Sequence, residues 1–149
     1  MKEWFNKLSP TMQIVAVVIG LVAIFFLVKS GKNFFKMISQ TAGQKGEEAA
    51  FLAKGQTKTF TSSQYSQFAN KLEQAMIDPG TDESSIFTVF NAMKNDLDIL
   101  ALEQAFGIRS GRWQWTEYDL GTWLRDELGS SDMQRLNALL SQKGINKMY

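Results

Sequence analysis

The sequence predicts an all-α protein: one N-terminal transmembrane helix, a linker, and a C-terminal domain of five short helices. Three observations carry that expectation. A single uninterrupted apolar stretch occurs near the start, apolar residues recur at three- and four-residue steps from Ser63 onward, and no strand-like alternation of useful length competes. Cysteine and histidine are both absent from the 149 residues, which excludes thiol nucleophiles, disulfides, Cys/His zinc sites and any triad built on an imidazole base.

The apolar stretch is Met12 to Val28, MQIVAVVIGLVAIFFLV, and no charge appears between Lys7 and Lys29. At about 1.5 Å of rise per residue that charge-free window reaches roughly 30 Å, the thickness of a bilayer's hydrocarbon core. Ile14 to Val28 is apolar all round, whereas a soluble surface helix keeps a polar face. A cleaved secretory signal would share the basic start, but this run exceeds a usual h-region and no small-x-small site follows it. The segment is expected to stay.

Residues 1–11 read as an interfacial N-terminus, with Trp4 and Phe5 beside lysines. Lys29, Lys32 and Lys36 surround Phe34 and Phe35 on the far side of the span, a second basic and aromatic collar. Three lysines there against Lys2 and Lys7 before the span favour the C-terminal side in the compartment that attracts positive loops. Residues 29–62 read as this juxtamembrane segment and a linker, with Gly43, Gly46 and Gly55 amid Gln, Thr and Ser and one short helix at Glu47–Ala53. Such a linker would let the domain stand away from the bilayer.

The domain is expected over residues 63–149. A first helix from Ser63 to Ile77 carries Tyr65, Phe68, Leu72 and Met76 and stops at Asp78-Pro79-Gly80. The second starts at Thr81, places Asp82 and Glu83 in its first turn, where they complement the helix dipole, and buries Ile86, Phe87, Phe90 and Met93. A third begins near Asn95 with Leu97, Leu100, Ala101 and Phe106 inward, and Gly107 stops it. The fourth is expected from Thr116 to Leu128 with Leu120, Trp123 and Leu124 inward. The fifth, opened by Ser130 or Ser131, uses Met133, Leu136, Leu139 and Leu140 and ends at Gly144.

Charge is unevenly spread. Residues 1–60 carry eight Lys against three acids, and residues 61–149 carry eight basic residues against twelve acids. The first part suits an anionic lipid surface, and the second does not suit nucleic acid. Arg109, Arg112, Trp113 and Trp115 fall close together in RSGRWQWTE and are the candidate protein-partner site, since Trp and Arg anchor interfaces. The alternative for this cluster is a Trp over the core and solvated arginines. Glu103 and Glu117 are the candidate acids for glycan cleavage, but that chemistry needs a carboxyl of raised pKa in a cleft, and both fall at ordinary helical surface positions. No catalytic residue is assigned.

In order along the chain stand Pro79-Gly80-Thr81-Asp82-Glu83, then Leu97 to Phe106-Gly107, then Asp119-Leu120 followed by Leu124-Arg125-Asp126-Glu127-Leu128. This order resembles a single annexin repeat, a five-helix unit with G-x-G-T-D-E between its first helices and D-L-x-x-x-L-[KR]-x-E-L on its fourth. The resemblance covers residues 63–143. It implies an annexin-like domain in which Gly80 and Thr81 offer carbonyl oxygens and Glu127 a bidentate carboxylate to calcium, the ion that docks such units on anionic lipid. Asp78 replaces the family's first glycine, Ile108 to Thr116 is an insertion, and one repeat stands where annexins have four. Gly-Thr-Asp-Glu is also simply a good turn and helix start.

Together these features predict a non-catalytic single-pass membrane protein that anchors a helical domain at a bilayer. Its partners would be other subunits of a larger assembly, and a homo-oligomer is compatible with this. Small size and the lack of a catalytic constellation favour the inner membrane of a lipid-containing bacteriophage virion over a bacterial envelope complex. The alternatives are a calcium-switched lipid-binding module and, last, a membrane-anchored peptidoglycan hydrolase.

Overall fold

The computed structural model describes residues 43–77, 79–110 and 117–149, and Gln44–Tyr149 make one compact unit. The expected span at 12–28 and the interface residues Trp4, Phe5, Lys29, Lys32, Phe34, Phe35 and Lys36 lie outside the described residues. No described helix is long and apolar enough to cross a membrane.

The fold is all-α. Helix α1 covers residues 43–53, α2 Ser62–Ile77, α3 Glu83–Ala92, α4 Asp96–Phe106, α5 Leu120–Glu127 and α6 Ser130–Gln142. Two-residue strands β1 (Arg109–Ser110) and β2 (Glu117–Tyr118) pair antiparallel between α4 and α5. This hairpin is a departure from the expected course. It holds Glu117 and Tyr118 extended, and Asp119 then caps α5 by accepting from the Thr122 N–H at 2.9 Å. Helix α5 accordingly starts at Leu120 instead of Thr116.

Capping explains most of the other boundaries. Asp82 is the N-cap of α3 and accepts from the Ser85 N–H at 3.0 Å, so it stands just outside the first turn in which the sequence placed it. Asn95 caps α4 by accepting from the Asp98 N–H, and Gly107, at φ 62°, ends that helix. Helix α6 opens at Ser130, as expected, and its N-cap is Gly129, which has no capping side chain. Its far end is a Schellman turn at Gly144, φ 71°, where the Ile145 N–H reaches the Leu140 carbonyl at 3.0 Å.

Helix α4 is the centre. Leu97, Ile99, Leu100, Ala101 and Leu102 are all buried in succession, the burial of a helix covered on every side. Helix α2 packs on both α3 and α4, and α3 packs on α6. Leu72, Ile86, Phe90, Leu120, Leu124, Leu136 and Leu140 fill the space between them. Phe68, Phe87, Met133 and Leu139, expected inside, are only partly buried and sit at the margin of this core.

The compact unit begins well before Ser63. Gly43 and Gly46 are helical, and only Gly55, φ 77°, ends α1 as the sequence led one to expect of a connector glycine. Residues 54–61 are bound to the domain instead of spanning open space. Lys58 pairs with Glu48 at 2.6 Å, and the Asn95 side chain donates to the Thr57 carbonyl at 3.0 Å. The polar Gln and Thr residues that gave this stretch a linker composition are used as hydrogen-bonding groups.

Candidate functional site

Two buried carboxylates on the first turn of α4 organise the molecule. Asp98 is 0 % exposed and Asp96 3 % exposed. Asp98 accepts from the Thr59 N–H at 2.8 Å, the Tyr65 hydroxyl at 2.6 Å and the Lys94 N–H at 2.8 Å. Asp96 accepts from the Gln56 side chain at 3.2 Å, from the Asn146 N–H at 2.6 Å and side chain at 3.0 Å, and from the Lys147 N–H at 3.2 Å. Neutral donors meet every one of these bonds, so each charge is solvated by the protein as water would solvate it. Burial works against the charge of Asp96, yet the bonds from Gln56, Asn146 and Lys147 hold it below the usual carboxylate range. Burial, and then the neighbouring Asp98, push the Tyr65 hydroxyl above the ordinary tyrosine range.

The second site joins α4 to the tail, residues 145–149. Glu103 is largely enclosed, against the surface position expected for it, and burial raises its pKa despite the Lys147 ammonium at 3.2 Å and the Tyr149 hydroxyl that donates to it at 3.0 Å. Tyr149 is in turn pushed well above the tyrosine range by burial and by that carboxylate. Glu47, Phe51, Ile99, Leu100, Glu103 and Lys147 line a cleft of about 240 Å³ between α1, α4 and the tail. A raised carboxyl in a cleft is what acid catalysis asks for, but both Glu103 oxygens are already taken by Lys147 and Tyr149. Glu117 lies exposed on β2.

The turn singled out by the resemblance brings two of its three residues together. The Thr81 hydroxyl donates to Glu127 Oε2 at 2.9 Å, and Gly80 supplies the left-handed φ of 89° that the turn before it needs. No group of three or more acidic side chains converges among the described residues, so an ion at Glu127 would draw its remaining ligands from carbonyl oxygens.

Arg109 is committed within the domain, where the sequence had presented it to a partner. It is ion-paired with Glu73, donates to Asn70 Oδ1 at 3.0 Å and to the Phe106 carbonyl at 2.9 Å, and lies 4.7 Å above the Phe106 ring. It thereby closes the C-terminal end of α4. Arg112, Trp113 and Trp115 lie outside the described residues.

An open groove of about 760 Å³ runs between α3 and α6. The Arg135 guanidinium covers the Phe87 ring there at 4.7 Å and is paired with Asp132 at 2.8 Å.

The sequence passed over Asp96, Asp98, Asn137 and the tail, and it named Glu103 without its enclosure. Two acids inside the otherwise apolar DLDILAL were the available signal, because a helix buried on all sides has no solvated face for them. No protein-family model, curated protein or solved structure matches this chain.

Proposed function

We propose that this chain is a non-catalytic single-pass membrane protein that fixes an annexin-like helical domain beside a bilayer, where the domain binds other subunits of an assembly. A minor structural role in a membrane-containing phage virion is the preferred setting, and a bacterial envelope complex is the alternative. The observation that carries the anchor reading is the fastening of residues 54–61 to Asp96 and Asp98. With that strap in place, residue 44 onward is one unit, and tension applied near residue 43 reaches buried hydrogen bonds of the core, as an anchor requires. The charge-free Leu8 to Val28 supplies the membrane element.

Crosslinking in the native membrane followed by mass spectrometry tests this. A stoichiometric protein partner is expected, and recovery of lipid alone would overturn it. Extraction by alkaline carbonate without detergent would equally remove the membrane reading.

The meeting of Thr81 with Glu127 favours a second reading, calcium-dependent binding to anionic lipid. It requires vesicle pelleting that depends on calcium and is lost in Glu127→Gln. Calorimetric silence at millimolar calcium removes it.

A further inference from the structure

The groove between α3 and α6 has a direction and a charge at each end. The Arg135 guanidinium lies over the Phe87 ring towards one end, and the Lys143 ammonium donates to the Asn91 carbonyl at 2.7 Å at the other, so the two helices run the same way. Their first turns therefore share one end of the groove and their last turns share the opposite one. Acids hold the first end, where Asp82 and Glu83 begin α3 and Asp132 stands in the first turn of α6. Lysines hold the second. Lys94 follows α3 and Lys143 is the C-cap of α6. Burial and the neighbouring Lys94 ammonium keep Lys143 below the usual lysine range. Neither lysine is paired with an acid among the described residues.

Three sides of α6 are already assigned. Leu136 and Leu140 face the core, and Arg135 and Leu139 line the groove. On the flank away from the groove, Asn137 holds the main chain of Tyr149, whose ring fills a slot beside Phe90 and Gly121. What is left is a crest of Ser131, Gln134, Ala138 and Ser141 at steps of three and four residues, all exposed and none charged. A crest of short neutral side chains is the shape that packs into a furrow between two helices. The furrow itself offers Phe87 and Leu139 beneath an Arg135 side chain that is 69 % exposed, and aromatic residues and arginine are the usual anchors of interfaces.

We propose that the chain pairs with a second copy of itself through this face: the α6 crest of each copy lies in the α3–α6 groove of the other, antiparallel about a two-fold axis. Such an axis makes one patch complementary to itself. It sets Asp132 and Glu83 of each copy against Lys143 and Lys94 of the other, and it opposes the dipoles of the two α6 helices. A parallel pairing would instead set lysine on lysine and acid on acid. The register that brings Asp132 to Lys143 of the second copy places Ala138 of both copies beside the axis. This goes beyond the anchor reading and does not depend on it, because every group involved belongs to the described domain.

Cysteine is absent from the chain, so Ala138→Cys introduces a single thiol at the axis and Gln67→Cys a single exposed control on α2. Full-length variants in mild detergent are treated with a short bismaleimide, and the covalent dimer is measured on denaturing gels. Ala138→Cys is expected to give a dimer in high yield, and Gln67→Cys only the background of chance collision. In the Ala138→Cys chain, Glu83→Lys sets lysine against lysine at both ends and should lower the yield about tenfold. Adding Lys143→Glu to that same chain should restore it, which a merely misfolded variant would not do. Absence of a dimer from Ala138→Cys, an equal dimer from Gln67→Cys, or failure of the second reversal to rescue the first would each overturn the proposal. Crosslinks from position 138 to a different protein in the native membrane, in place of a second copy, would give the groove to that protein and overturn it as well. Carbonate extraction judges the anchor reading separately, so either can fail alone.

Discussion

Removing the Asp98 carboxylate should be among the most damaging single changes in the described domain. In Asp98→Ala the Thr59 and Lys94 N–H groups and the Tyr65 hydroxyl lose their acceptor together. A buried donor left unpaired costs about 1–3 kcal/mol, and some relief comes from water entering the space. Only the Tyr65 bond is fully buried and the two N–H bonds are part-buried, so a net loss of about 2–5 kcal/mol is expected from the three together. Whole domains are stable by roughly 5–15 kcal/mol, so the variant should be close to unfolding at growth temperature. Tyr65→Phe removes the donor to Asp98 and the acceptor of the Phe60 N–H and should cost about 1.5–3 kcal/mol. Urea denaturation of the full chain in mild detergent, followed by circular dichroism, measures both. The double variant should lose less than the sum, with a coupling of about 1 kcal/mol or more, since the two side chains share a bond. A loss below about 0.5 kcal/mol for Asp98→Ala, the range of an unremarkable surface change, would refute the assignment of Asp98 as a structural centre.

Stability should pass through a maximum in mildly acidic solution, because two carboxylates pull in opposite directions. Glu103 is raised in the fold, so the native state binds the extra proton and stability grows as pH falls through its folded value, down to its unfolded one. Asp96 is lowered, so its contribution is present above the unfolded carboxylate pKa and is lost as pH falls through the folded value. Thermal melts across pH should show Glu103→Gln flattening the first limb and Asp96→Asn the second; an unchanged profile in both would contradict the network. Gly107→Ala should cost about 1–3 kcal/mol, because φ 62° with ψ −139° is backbone open essentially to glycine alone, whereas Gly129→Ala, with φ −65° and nothing within 4 Å of the new methyl, should lose no more than about 1 kcal/mol, the difference between the two residues as N-caps, by the same denaturation assay. Thr81→Val breaks only exposed bonds to the Glu127 carboxylate and carbonyl and should change stability by less than about 1 kcal/mol; a larger loss would mean that the turn is held by more than those contacts.

Periodicity made the helices legible because α2, α3, α5 and α6 each bury one stripe and leave the rest in water. Leu72 with Met76, and Leu136 with Leu140, could be assigned from spacing alone. Helix α4 was located by the same means, but its role was not, since acids at a first turn normally complement the dipole from outside. Asp96 and Asp98 are inside because Gln56, Thr59 and Asn146, roughly forty to fifty positions away, come to meet them, and such meetings leave no local pattern. The same reason hid the enclosure of Glu103, whose partners lie on the tail. The β1–β2 hairpin escaped because two residues per strand are too few to alternate. Gln56 and Thr59 were read by composition, as loop formers, when their work is to supply bonds.

Asn137 both donates to and accepts from the main chain of Tyr149. A side-chain amide that offers one donor and one acceptor to the same residue stands in for a neighbouring peptide group, as in a one-rung ladder. It recognises main chain and is blind to what the residue carries. Selectivity at position 149 must then reside in the aromatic slot, and Met148, which is 46 % exposed, is left open to almost any replacement.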